Sequence, residues 1–108
     1  MRWTVETLDA TVDDELAALS SDLRARLSRI GFLIGNVGLE RLREPYVRHL
    51  EGPLWELRLK GKDAIARAMY VTVKGRRVVI VRVFVKKTQK TPRREIEVAL
   101  ARAREVLK

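Results

Sequence analysis

Glu56, Arg58, Arg67, Arg82, Lys86, Lys87 and Lys90 are the residues of this 108-residue chain whose types and spacing could do chemistry. Six are cations and one is a carboxylate, a pattern suited to holding phosphate. RNA carries its own nucleophile, the ribose 2′-OH. A catalyst of its cleavage has to take the 2′ proton, offset charge growing on the phosphoryl oxygens and protonate the leaving 5′ oxygen. Arginine suits the second task, because its planar guanidinium donates to two phosphate oxygens and stays charged. Lysine crowded by other cations has its charged form disfavoured, so Lys86 or Lys87 is placed to move a proton. Glu56 is open to two readings: it acts as base, or it orients Arg58 and Lys60.

Such groups converge only if strands carry them, and from Leu54 onward the sequence has the period of two that strands require. Trp55, Leu57 and Leu59 alternate with Glu56, Arg58 and Lys60, and Gly61-Lys62-Asp63 turns the chain. Residues 65–73 return, Lys74-Gly75-Arg76 turns again, and residues 78–85 form a last strand, which completes an antiparallel meander. Side chains alternate across a strand, so parity assigns each residue to a face. Trp55, Leu57, Leu59, Ala66, Ala68, Tyr70, Val79, Val81, Val83 and Val85 are expected under helices. Glu56, Arg58, Arg67, Met69, Ile80, Arg82, Phe84 and Lys86 then share an open, concave face, with Lys87 and Lys90 at its rim. Ordinary solvated faces also alternate, but they mix acids and bases, whereas Glu56 is the sole carboxylate in this cluster. Phe84, an outward aromatic among cations, is suited to stacking a base.

The rest of the chain reads as support. Residues 2–7 alternate around Trp3 and Val5 as a short first strand. Thr11 or Asp13 can cap a helix whose first turn is acidic. Val12, Leu16, Leu19, Leu23, Leu27 and Ile30 form one apolar stripe, and Ser20-Ser21-Asp22 is a stop-and-restart signal. A helical hairpin follows, with its second member over residues 21–36. Glu44-Pro45 closes a short helical turn around residues 39–43, and residues 47–50 read as a connector. Thr91 as N-cap and Pro92 as first helical residue start a final helix whose apolar face is Ile96, Ala99, Leu100, Ala103, Val106 and Leu107.

Composition narrows the class. Residues 1–54 hold 7 Lys/Arg against 9 Asp/Glu and residues 55–108 hold 16 against 5, so the whole net charge of +9 arises in the second half. That asymmetry favours a polyanion surface over mere solubility. The length fits a single domain, residues 1–108, able to bury about 60–65% of its unfolded surface. With no cysteine there is neither a disulfide framework nor a thiolate metal site, and no long apolar run suggests a signal peptide or a membrane span. A cytoplasmic protein is expected. The single histidine, His49, in the connector, reads as a surface residue rather than a catalytic one, and no carboxylate cluster has metal-ligand spacing, so neither metal nor cofactor is expected.

Leu54-Trp55-Glu56-Leu57-Arg58, Arg67-Ala68-Met69-Tyr70 and Phe84-Val85-Lys86-Lys87-Thr88-Gln89-Lys90-Thr91-Pro92, in that order and spacing, resemble the phage-derived HigB-like branch of the RelE/HigB toxin superfamily. The resemblance covers nearly the whole chain. It implies an α+β, RelE-like fold: an antiparallel sheet with an N-terminal helical hairpin on one face, plus a C-terminal helix. It also implies the toxin of a type II toxin–antitoxin pair, a metal-independent endoribonuclease that cleaves mRNA, commonly on the ribosome. The implied partner is an antitoxin with a helix-turn-helix, HigA-like. Arg67 matches the family's catalytic strand arginine; Arg58, Lys86 and Lys87 match its phosphate-contacting basic residues. The chain departs from better-studied members in having neither tyrosine nor histidine after Lys87. A non-catalytic RNA- or ribosome-binding module, and a module whose basic face holds an acidic protein segment, are the competing expectations; only the toxin predicts new transcript ends.

Overall fold

The structure is a computed structural model and describes residues 2–42, 46–86 and 90–107. The chain runs β1 (Thr4–Thr7), α1 (Ala10–Ala17), α2 (Ser21–Val37), a 3-10 turn (Leu39–Arg41), β2 (Val47–Glu51), β3 (Leu54–Lys60), β4 (Ile65–Val73), β5 (Arg77–Lys86) and α3 (Arg93–Ala103). The strands form one sheet in the order β1-β5-β4-β3-β2. The predicted meander β3-β4-β5 is antiparallel, with β2 added on its outer side and β1 lying parallel to β5, so the sheet as a whole is mixed. The fold is α+β with the expected helical hairpin. Among the described residues no helix is long and apolar enough to cross a membrane.

Caps differ from expectation at both ends. Asp9, not Thr11 or Asp13, caps α1, its carboxylate accepting from the Val12 amide at 3.1 Å. A carboxylate there also meets the positive end of the helix dipole. Pro92 is the N-cap of α3, one residue later than predicted, and the Thr91 hydroxyl is used elsewhere. The 3-10 turn ends at Arg41; the predicted closure at Glu44-Pro45 lies outside the described residues. Residues 47–50, read as a connector, are in fact the edge strand β2, which pairs Val47 with Leu57 and Arg48 with Glu56 before a bulge.

Two cores share the sheet. Val12, Leu23, Leu27, Ile30 and Ile34 of the hairpin pack on Leu57, Leu59, Ala66, Ala68, Tyr70, Ile80 and Val83. On the opposite face Ala99 and Ala103 of α3 pack on Leu54, Met69, Val71, Val79 and Val81. The face expected to be open is therefore half covered. Parity in β5 is corrected too: Met69 faces Arg82 but Tyr70 faces Ile80, so Val81 is an extra residue in the strand. Such a bulge inverts the alternation behind it. Val79 and Val81 consequently lie on the α3 side and Ile80 on the hairpin side, whereas Val83 and the trio Arg82, Phe84 and Lys86 keep their predicted faces.

Trp55 has the predicted parity but is 39% exposed, because it lies near the sheet margin, where its ring tilts against His49 at 4.9 Å. Leu57, two residues on, is fully buried. Leu57→Ala is accordingly expected to cost about 2–5 kcal/mol and Trp55→Ala only about 1–2 kcal/mol, well under the roughly 3–5 kcal/mol of a fully buried tryptophan. Urea unfolding of both variants checks the ranking.

Candidate nucleic-acid interface

The cross-strand register stacks the candidate residues in rows on the α3 side of the sheet. Glu56, Met69 and Arg82 form one row, Arg58, Arg67 and Phe84 the next, Lys60, Ile65 and Lys86 the third. α3 lies over the Met69 end and leaves the Arg58–Lys60 end open. There a cavity of about 700 Å³ is lined by Arg48, Arg58, Lys60, Lys62, Arg67 and Lys86, with Asp63 the carboxylate at its margin. Its floor is fixed by the β3–β4 turn: Asp22 at the start of α2 accepts from the Lys62 amide at 2.6 Å. Gly61 is needed at that contact, since a Cβ there would stand 2.7 Å from the Asp22 carboxylate and from Leu23.

Arg67 and Glu56 are both buried, 7% and 1% exposed, and form an ion pair at 3.2 Å. The Thr91 hydroxyl donates to the other Glu56 oxygen at 3.1 Å. Among the described residues neither Glu56 Oε1 nor Arg67 Nε has a hydrogen-bond partner, so the contact between the two side chains is electrostatic. Polar atoms left short of partners in a folded core cost stability and cluster where function constrains the fold. Burial lowers the Arg67 pKa, opposed by Glu56 and reinforced by Arg58 and Arg48. The guanidinium nevertheless keeps its proton throughout the physiological range.

Lys86 is half-buried beside this pair. Burial and then Arg67 hold its ammonium below the ordinary lysine range; Glu56 opposes them and Arg48 and Arg58 add to them. Because the charged form is the one disfavoured, removing a neighbouring cation should restore affinity for the proton. A wild-type Lys86 NMR midpoint below those of the exposed lysines is expected, and Arg48→Gln should move it upward. A Lys86 midpoint at or above the exposed-lysine range would contradict this electrostatic picture.

The remaining candidates separate. Arg82 is not free to meet a phosphate: it donates to Glu95 at 2.6 Å and to Glu15 at 2.7 Å, and Arg102 donates to Glu15 at 2.8 Å. Phe84 is half-buried on the α3 side with the Arg82 guanidinium 5.9 Å from its ring centre. Lys90 is exposed, three residues before α3, and Lys87 lies outside the described residues. His49 pairs with Trp55 on the other face and its Nε2 lies 2.8 Å from the Gly52 carbonyl oxygen. Sequence reasoning missed Arg48, which β2 carries to the row of Glu56 and into the cavity. Little in the sequence marks it, since Val47-Arg48-His49-Leu50 runs apolar, polar, polar, apolar and lacks the alternation of a strand.

A family model described as phage-derived protein Gp49-like (DUF891) matches residues 14–104. Among solved structures the chain is similar to the archaeal RelE–RelB complex from Pyrococcus horikoshii OT3. The two share 21% sequence identity and a TM-score of 0.58 over 79% of this chain and 96% of that one. No curated protein matches the chain.

Proposed function

Since the chain belongs to the phage-derived Gp49-like family, a family of RelE/HigB-type toxins, we propose that it is the toxin of a type II toxin–antitoxin pair and cleaves mRNA without a metal. The observation that carries the proposal is the cavity in which Arg48, Arg58, Lys60, Lys62 and Lys86 line a wall with Arg67, which the buried Glu56 pairs from behind. A phosphodiester entering it meets six cations, two of them, Arg67 and Lys86, with depressed proton affinity. Arg67 and Arg58 donate to the non-bridging oxygens as charge grows there, the step for which fixed donors in a desolvated site are most effective. Lys86, whose charged form burial and Arg67 disfavour, takes the 2′ proton through its neutral form. The 2′ oxygen then bonds to phosphorus as the bond to the 5′ oxygen breaks; the leaving 5′ oxygen takes a proton from water, Lys86 returns its own to solvent, and a 2′,3′-cyclic phosphate and a 5′-OH result.

Glu56 takes a different part. Buried at 1% and engaged by both Arg67 and Thr91, it holds the arginine rather than reaching substrate, the orienting role of its two expected ones, exercised on Arg67. Lys87 lies outside the described residues, and Arg82 and Phe84 serve the scaffold. The reading includes a cytoplasmic location, cleavage on the ribosome and an antitoxin partner with a HigA-like helix-turn-helix; the RelE neighbour was solved in complex with RelB. Induction in a bacterial host with mapping of transcript 5′ ends tests it. New ends bearing 5′-OH, and growth arrest relieved by the co-expressed antitoxin, are expected. Tight RNA binding with no new ends would establish the binding-module reading instead.

A further inference from the structure

A second cavity of about 330 Å³, lined by Arg26, Tyr46, Arg58 and Lys60, adjoins the first and shares Arg58 and Lys60 with it. β2 begins at Val47, opposite Leu57, so it covers β3 only as far as that residue. Beyond it, the edge of β3 bearing Arg58 and Lys60 is flanked by Tyr46 and, from α2, by Arg26. The Arg58 amide donates to the Tyr46 carbonyl at 2.8 Å, which fixes the tyrosine backbone to β3. Tyr46 itself is 50% exposed. We propose that Tyr46 is the stacking platform of a second nucleotide subsite, where a single-stranded RNA passing the β3 edge lays one base on the Tyr46 ring between phosphates held by Arg26 and by Arg58 with Lys60.

The chemistry selects RNA over an acidic peptide. Cations alone would suit either ligand, but an exposed ring set among cations adds a flat π-surface that every base can use and a carboxylate cannot. Tyr46 is the aromatic among the described residues lining the two cavities; Phe84 lies near the Arg82 guanidinium, Trp55 and His49 pack on each other on the opposite face, and the exposed Phe32 of α2 lines neither cavity. Arg58 and Lys60 line both cavities, so one strand can be held continuously from the reacting phosphate to the stacked base. The inference rests on the RNA-cleaving reading of the first cavity and adds to it a footprint longer than the scissile dinucleotide.

Fluorescence anisotropy with non-cleavable 2′-O-methyl RNA tests it on the full chain, using a dinucleotide, a pentanucleotide and pentanucleotides carrying one abasic position each. Tyr46→Ala should weaken the pentanucleotide about 5- to 150-fold. It should leave the dinucleotide within twofold. One abasic position should reproduce the loss, and combining it with Tyr46→Ala should add nothing. Tyr46→Phe should bind as wild type, whereas Tyr46→Leu, which keeps bulk without the ring, should behave as the alanine variant; melting curves confirm that each is folded. Unchanged pentanucleotide binding by Tyr46→Ala, full binding by Tyr46→Leu, or an equal loss for poly-glutamate would each overturn the subsite. The two readings fail distinguishably. If wild type binds no RNA of any length, both fall; if Arg58→Ala weakens every length and Tyr46→Ala weakens none, only the subsite falls.

Discussion

Arg67→Met is expected to lower transcript cleavage by at least about 100-fold, the scale of losing one donor that stabilises charge in the transition state. The variant also carries a structural cost. Arg67 was expected on an open face, but it is 7% exposed and balances a carboxylate that is 1% exposed. Removing one member of a buried pair strands the other, a loss of about 3–5 kcal/mol, whereas replacing both by neutral groups of similar volume is often near neutral. The informative comparison is therefore Arg67→Met against the double variant Glu56→Gln with Arg67→Met. The double variant should recover most of the melting temperature and none of the cleavage. Recovery of cleavage along with stability would show that Arg67 acts only by holding the sheet together.

How much of this was legible in the sequence depended on how local the cause was. The meander was readable because Gly61 and Gly75 stand where the chain reverses, and Gly75 and Arg76 both adopt positive φ there. The hairpin was readable from Ser20 to Asp22 because a helix restart is written in neighbouring residues. The bulge at Val81 was not. Residues 78–85 run Val-Val-Ile-Val-Arg-Val-Phe-Val, and with apolar residues on both faces the alternation carries no mark of the inserted position. Burial of Glu56 was equally hidden, since parity tells which face a side chain joins and not whether a helix that begins only at Arg93 covers that face. Arg58, Arg67 and Lys86 were brought together as their parity predicted, because they lie on the part of the sheet that α3 leaves uncovered. Arg82 looked like its neighbours in sequence, yet its partner Glu15 is 67 residues away.

That distant partner carries the second large effect: Glu15→Ala is expected to cost about 2–4 kcal/mol, more than surface ion pairs deliver. The reason lies in the edge of β5. β1 accompanies β5 only from Arg77 to Ile80, so the strand beyond needs other partners for its main chain. Glu15 accepts from the Val83 amide at 3.0 Å, and Arg102 donates to the Val81 carbonyl at 2.9 Å. Two side chains thus finish an edge that β1 leaves bare, at the bulge itself. Glu15 also receives Arg82 and Arg102, and all three side chains are largely shielded from solvent. Losing the carboxylate leaves an unpaired amide and excess positive charge together. Lys86 ends the same strand three residues beyond Val83, so Glu15→Ala should also reduce cleavage in the fraction that remains folded and shift the Lys86 NMR titration. Glu15→Gln, which can still accept from Val83, should retain part of the stability. If urea unfolding finds Glu15→Ala within about 0.5 kcal/mol of wild type, the range of ordinary surface substitutions, the edge does not depend on this carboxylate.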